Sequence, residues 1–156
     1  MAASAWQLYN SAKKYIGNGT ITLGAGEFKM ALANSASNTS TFTLDAFGSL
    51  TGEISATGGY TSGGKNLDPA VGQWTVGASA KQIKFTYSTV GLTFTASGAP
   101  LTNVKYAVIT FGASVGVTTS ARKLLCFCQL SSNQFSVSSP NTLTVLPAGT
   151  GVFTLT

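Results

Sequence analysis

Most of the chain alternates between apolar and polar residues with a period of two, the pattern of strands that bury one face. The alternation is clearest in EFKMALA (27–33) and KQIKFTY (81–87). Roughly ten such short runs follow Gly17, separated by turns rich in glycine, serine and asparagine. Short strands spaced roughly 8 to 12 residues apart predict an all-β fold, either a β-sandwich or a jelly-roll-like barrel.

The N-terminal segment has the only convincing helical pattern in the sequence. In SAWQLYNSAKKYI (4–16), aromatic and aliphatic side chains recur every three or four residues. We expect Ser4 to cap the start of this helix and Gly17 to end it. The sequence therefore predicts a helical arm over residues 1–19 and a single β-sandwich domain over residues 20–156.

Two of the predicted strands, VKYAVITF (104–111) and KLLCFCQL (123–130), are apolar on both faces. An antiparallel strand commonly leaves one face to water, so the second face of each must be covered. The cover could be the N-terminal helix, a loop or another subunit. The side chains that we predict to form an assembly interface are Trp6, Tyr9, Ile16, Tyr106 and Phe127.

The composition is unusual because only 8% of residues are charged, against about 25% in a typical soluble domain. Small hydroxylated residues lose little side-chain entropy when a neighbour immobilises them, so such a surface suits an assembly. The net charge is +5, but the basic residues are scattered and only one is arginine, so we expect no specific nucleic-acid partner. There is no run of about 18 apolar residues, so we expect no membrane partner either.

The two cysteines, Cys126 and Cys128, lie two residues apart on a predicted strand and point to the same face. A disulfide between them would be strained, since their Cα atoms lie near or beyond the usual upper limit of about 6.8 Å. We expect free, buried thiols, which suits assembly in a reducing cytoplasm. Two cysteines without histidine are too few for a zinc site, and we expect no metal or cofactor.

The residues that catalyse hydrolysis are nearly absent, and we expect that the protein is not an enzyme. There is no histidine to act as a general base. GGYTSGGK (58–65) lacks the spacing of a phosphate-binding loop, and Asn66 stands where that loop needs serine or threonine. A glycosidase needs two carboxylates that converge. The four acidic residues are far apart in the sequence: Glu27, Asp45, Glu53 and Asp68.

Four stretches of the chain resemble segments of one protein family. FKMAL (28–32) is similar to the family's opening strand, and VKYAVIT (104–110) to a buried strand after a polar turn. GEISATGGYTSGGKNL (52–67) is similar to a segment with a Gly-Glu turn, a Gly-Tyr, a Gly-Gly pair and a leucine. The ending FSVSSPNTLTVLPAGTGVFTL (135–155) shares its proline, glycine, phenylalanine and leucine. Over most of residues 27–156 the chain thus resembles small structural proteins of tailed-phage virions.

The resemblance implies a virion component that is assembled in the host cytoplasm. We expect a capsid decoration or cement protein, bound as a homo-oligomer to the outside of an icosahedral head. Its partners would be itself and the major capsid protein or another virion protein, with many weak contacts adding up. The first alternative is a structural protein of the tail, collar or fibre. A carbohydrate-binding module for host recognition, with Trp6 and Trp74 as its platform, comes next, and a small hydrolase last.

Overall fold

The strands that the structure describes form one five-stranded sheet and three smaller sheets. A computed structural model describes residues 3–24, 27–67, 74–76, 83–88, 90–112, 117–148 and 151–155, with 74–76 and 155 as backbone alone. The strands in this part are β1 (Gln7–Leu8), β2 (Phe28–Ala33), β3 (Lys65–Asn66), β4 (Trp74–Val76), β5 (Ile83–Phe85), β6 (Leu92–Thr95), β7 (Leu101–Val104), β8 (Tyr106–Phe111), β9 (Lys123–Gln129), β10 (Phe135–Val137), β11 (Thr142–Val145) and β12 (Phe153–Leu155). An α-helix, α1 (Asn10–Gly17), lies between β1 and β2.

The five-stranded sheet has the order β1-β9-β8-β2-β3, and all neighbouring pairs are antiparallel. Its middle strands β2, β8 and β9 consist mostly of buried apolar residues and carry the core. The smaller sheets pair β10 with β7, β11 with β6, and β5 with both β4 and β12. These sheets are open, which confirms the predicted all-β, sandwich-like fold with one short helix.

The N-terminal segment differs from the predicted helix, because α1 begins only at Asn10 and the residues before it run along the edge of β9. The amide of Ser4 donates to the carbonyl of Gln129 at 2.8 Å. The amide of Tyr9 donates to the carbonyl of Leu125 at 3.1 Å. The edge of β9 offers backbone groups that need partners. Pairing with them is favoured over lengthening a helix that has no side-chain cap at its start.

Ser4, which the sequence predicts as a helix cap, instead takes part in this edge pairing. Its hydroxyl accepts a hydrogen bond from the amide of Gln129 at 2.9 Å. The helix ends at Gly17, as predicted, and packs against β9 with Ala12 completely buried. The described part of the predicted arm, residues 3–19, is therefore built into the same sheet and core as the rest of the chain.

Both faces of β9 are buried, as its sequence predicts, and much of the cover comes from the chain itself. Phe127 lies under two aromatic rings, with centroid distances of 5.1 Å to Tyr9 and 5.6 Å to Phe42. Since successive residues of a strand point to opposite faces, Cys126 and Cys128 point away from Phe127. Both thiols are free and buried, which confirms that prediction.

The core contains five weak acids that are neutral at physiological pH. Burial raises the pKa of Cys128 to about 12, and it raises the pKa of Cys126 well above its ordinary 9.0. Burial is also the largest cause that raises the pKa values of Tyr9, Tyr60 and Tyr87 above their ordinary 10.0. The charged form of each group would have to leave the apolar interior, so the folded state keeps these protons more tightly than the unfolded state.

We predict that the protein loses stability steeply as the pH rises above about 9. The five folded pKa values are raised, so their stabilising contribution is complete below the unfolded values and is lost as the pH rises toward the folded values. Each titrating group costs about 1.4 kcal/mol per pH unit in that window. Urea unfolding between about pH 7 and about pH 11 measures the loss.

A variant with Cys126→Ala and Cys128→Ala provides the control for this pH dependence. This variant lacks the two groups with the lowest unfolded pKa. Its stability should therefore begin to fall at a pH about one unit higher than that of the parent chain, where the tyrosines titrate. A free energy of unfolding that stays constant to about pH 11 in the parent chain would contradict the prediction.

Candidate functional site

Two residues of the predicted assembly interface, Tyr9 and Phe127, are used inside the chain. Tyr9 is completely buried and Phe127 is 4% exposed. The Tyr9 hydroxyl also donates to the carbonyl of Thr39 at 2.9 Å. Side chains packed in this way cannot also contact a partner, so these two do not belong to an assembly surface. The sequence left open what covers β9, and the cover here is intramolecular.

The other three predicted interface residues, Trp6, Ile16 and Tyr106, are partly exposed. Trp6 meets the ring of Tyr87 edge-on, with 6.5 Å between the ring centroids. Ile16 packs against the margin of the core. The Lys105 ammonium lies 5.6 Å from the centroid of the Tyr106 ring. Trp6 is the one member of this trio that lines the groove described next.

An open groove of about 610 Å³ lies between the N-terminal segment and the residues of β11 and the turn after it. The pairing of β1 with β9 positions residues 3–6 as one wall, and the pairing of β11 with β6 positions residues 143–146 as the other. None of the described residues that line this apolar groove is charged. They are Ala3, Ser4, Ala5, Trp6, Cys128, Leu130, Ser131, Phe135, Leu143, Thr144, Val145, Leu146, Pro147, Ala148, Gly151 and Val152.

Among the described residues, the apolar groove has one large, well-exposed aliphatic side chain at its rim. Leu146, which lines the groove, is 58% exposed, and Val90 is 77% exposed. Val145 pairs with Leu92, which sets Leu146 beside Gly91 and close to Val90 at the same end of the strand pair. Exposed apolar side chains beside an apolar groove are typical of sites where proteins contact a partner. This groove and its rim are therefore the candidate functional site.

A second organised feature is the glycine-rich segment (52–67), which is held by the carboxylate of Glu53. Its Oε1 accepts hydrogen bonds from the Tyr60 hydroxyl at 2.7 Å and from the Gly63 amide at 2.6 Å. Its Oε2 accepts from the Ser62 hydroxyl at 3.0 Å. A carboxylate with three donors of the same segment fixes the path of a chain that glycines would otherwise leave free.

This network also ties the glycine-rich segment to the core. The Tyr60 hydroxyl accepts a hydrogen bond from the Leu32 amide of β2 at 3.1 Å. The buried Arg122 donates to the Gly63 carbonyl at 2.9 Å and to the Thr119 hydroxyl at 3.2 Å. The segment that carries part of the family resemblance thus has a structural explanation, since Glu53, Tyr60 and Gly63 take part in one set of contacts.

The acidic side chains with contacts in the described part hold the fold together. Asp45 forms an ion pair with Lys123 at 3.3 Å, and Glu53 holds the glycine-rich segment. Asp68 and the side chain of Trp74, which the sequence singled out, lie outside the described residues. Within the described ranges, no group of three or more histidine, cysteine or acidic residues could hold a metal ion. No helix of that part is long and apolar enough to cross a bilayer.

Comparison of the chain with protein-family models, curated proteins and solved structures gives no match. Function is therefore inferred from the apolar groove, from its rim and from the charge of the surface.

The glycine-rich segment generates a stability prediction at Gly64. This residue has φ +78°, and a Cβ there would collide with the carbonyl of Met30 in β2. We predict that Gly64→Ala lowers the free energy of unfolding by about 3 kcal/mol or more. The left-handed backbone alone costs an alanine about 1–2 kcal/mol, and the collision adds the rest. Chemical denaturation measures the difference.

Gly98→Ala is the matched control, because Gly98 has φ +73° and a Cβ there meets no atom within 4 Å. It should lose only the conformational part, about 1–2 kcal/mol. Equal losses in the two variants would show that the close approach to β2 does not matter.

Proposed function

We propose that the protein is a structural, non-enzymatic component of a tailed-phage virion and that it decorates the outside of the head. The observation that carries the proposal is the uncharged apolar groove, whose lining residue Leu146 is 58% exposed. The resemblance of residues 27–156 to small virion proteins supports the same assignment. The protein acts by burying surface against neighbouring subunits, and its partner is the major capsid protein or another virion protein.

The chemistry of the apolar groove defines the surface that it accepts. A charged group buried there would find no counter-charge among the lining residues, and such a burial is costly. The partner surface is therefore an uncharged, apolar segment of a neighbouring subunit. Complete burial of a side chain such as Leu146 contributes at most about 1.5–3 kcal/mol. One such contact is weak, but a particle with many copies adds such contacts together.

The rest of the surface supports an assembly role through its composition. Charged residues make up 8% of the chain, and the exposed loops contain mainly serine, threonine, asparagine and glycine. These short side chains have few rotamers to lose when a neighbouring subunit covers them, whereas buried lysine or glutamate loses about 1.5–2 kcal/mol of side-chain entropy each. A surface of this kind therefore assembles at a lower entropic cost.

The decisive experiment places a charge in the apolar groove. We predict that Leu146→Asp lowers occupancy of the protein on purified particles by at least about tenfold, the equivalent of about 1.4 kcal/mol at a single contact. Because Leu146 is 58% exposed, the variant should remain folded, which its melting temperature checks. Quantitative mass spectrometry of particles gives the copy number of the variant and of the parent chain.

Val117→Asp is the matched control, since Val117 is 39% exposed, does not line the apolar groove and receives the same charge. It should occupy particles like the parent chain. Wild-type occupancy by Leu146→Asp, or absence of the parent chain from purified particles, would refute the proposal. The copy number also separates positions in the particle, because hundreds of copies indicate the head, whereas about six or twelve indicate the portal or tail, in line with their closed cyclic symmetry.

A further inference from the structure

The sheet formed by β6 and β11 has one protected edge and one open edge. Thr93 of β6 lies opposite Thr144 of β11 in the antiparallel register. On the outer side of β6, the Thr93 carbonyl accepts a hydrogen bond from the Lys65 ammonium at 2.9 Å. A lysine at the edge of a sheet keeps further strands from pairing there. On the outer side of β11, none of the described strands pairs with it.

The backbone N–H and C=O of Thr144 point to this open edge. The Ala96 amide donates to the Asn141 carbonyl at 2.9 Å, so these two residues form a hydrogen-bonded pair of the ladder. Bonded and non-bonded pairs alternate along an antiparallel ladder, so the backbone groups of Thr142 and Thr144 point away from β6. Within the described ranges, no group forms a hydrogen bond with the outward N–H and C=O of Thr144.

The open edge of β11 borders the apolar groove. Consecutive residues 143–148 line the groove, whereas no residue of β6 is among its described lining residues. A groove above one face of the two strands would be lined by alternate residues of both, since successive side chains point to opposite faces. The groove therefore lies beside β11, with residues 3–6 as its opposite wall. The Leu146 amide, also at the groove, has no hydrogen-bond partner in the described part of the chain.

This edge is uncharged and has a defined length. Residues 141–146 contain no acidic or basic side chain, and Pro140 and Pro147 stand at the two ends of the stretch. Proline has no N–H to offer to a neighbouring strand, so the prolines limit how far another strand can pair. The described lining of the groove also holds no counter-charge, so a segment that enters it must itself be uncharged.

We propose that the apolar groove takes up an extended, uncharged segment of a neighbouring virion subunit, which adds to β11 as a further strand. The segment accepts a hydrogen bond from the Thr144 amide and donates one to the Thr144 carbonyl. Its alternate side chains are apolar and pack toward the groove lining, which includes Cys128 and Leu130. In strand addition, main-chain hydrogen bonds give affinity and the alternate side chains give specificity. The inference rests on the proposed function and specifies the form of the partner.

Amide hydrogen exchange, read at single residues by mass spectrometry, tests the added strand on purified particles without any substitution. The Thr144 amide should exchange at least about tenfold more slowly in the particle than in the free protein, because pairing protects an amide. The Thr142 amide is the internal control, since it points to the same edge but does not line the groove. It should exchange alike in both states. Equal exchange of the Thr144 amide in the two states overturns the proposal.

A pair of proline variants tests the same contact through occupancy. Thr144→Pro removes the outward N–H and leaves the hydrogen bonds between β11 and β6 in place, and sheet edges tolerate proline. Its occupancy on purified particles should fall at least about tenfold. Thr142→Pro is the matched control, because it makes the same change on the same edge outside the groove. It should occupy particles like the parent chain. If Thr144→Pro does not fold, the exchange measurement decides.

The outcomes separate this inference from the proposed function. If Leu146→Asp is lost from particles while Thr144→Pro is retained, the added strand is wrong and the proposed function stands. Absence of the parent chain from particles overturns both. Light scattering on the purified parent chain tests for a second copy as the occupant. A dimer that Thr144→Pro dissociates would place a second copy at this edge and would overturn the proposal.

Discussion

A strand with two apolar faces needs cover on both, and β9 is such a strand at the side of the sheet where the N-terminal segment pairs. Its backbone is paired with β8 on one side and with β1 on the other. The N-terminal segment supplies that edge pairing, covers Phe127 with the ring of Tyr9, and contributes Trp6 to one wall of the apolar groove. The apolar groove lies beside Trp6 and extends to Cys128 and Leu130. The proposed assembly surface is thus a consequence of the way in which the N-terminal segment covers β9.

The fold could be predicted from the sequence where the signal is local. The alternation in 27–33 and the two-sided apolar runs in 104–111 and 123–130 identify β2, β8 and β9, because strand periodicity and burial are visible in neighbouring residues. The N-terminal helix was predicted too long. Its aromatic spacing fits a helix, but Ser4 and Tyr9 find backbone partners on β9, at the other end of the chain. Tertiary pairing of this kind overrides local propensity.

The candidate site could be predicted only in part, for the same reason. Of the predicted interface residues, Trp6 lines the apolar groove, whereas Tyr9 and Phe127 contact each other inside the core. The apolar groove depends on the position of β11 in the fold, and no local sequence pattern around Leu146 predicts that its side chain is exposed. The Glu53 network was also missed. The Gly-Glu and Gly-Tyr pairs of the glycine-rich segment were a sequence signal for this network. The network also includes Arg122, which is distant in sequence and which no local pattern connects to the segment.

The pairing of β1 with β9 has a consequence for biosynthesis. It joins β1 to a strand that comes much later in the sequence, so β1 leaves the ribosome before its partner strand β9 has been made. The central sheet therefore closes late, after loop closure over most of the chain. When several ribosomes translate one message, the β1 segments of neighbouring nascent chains are exposed together before each chain has its own β9.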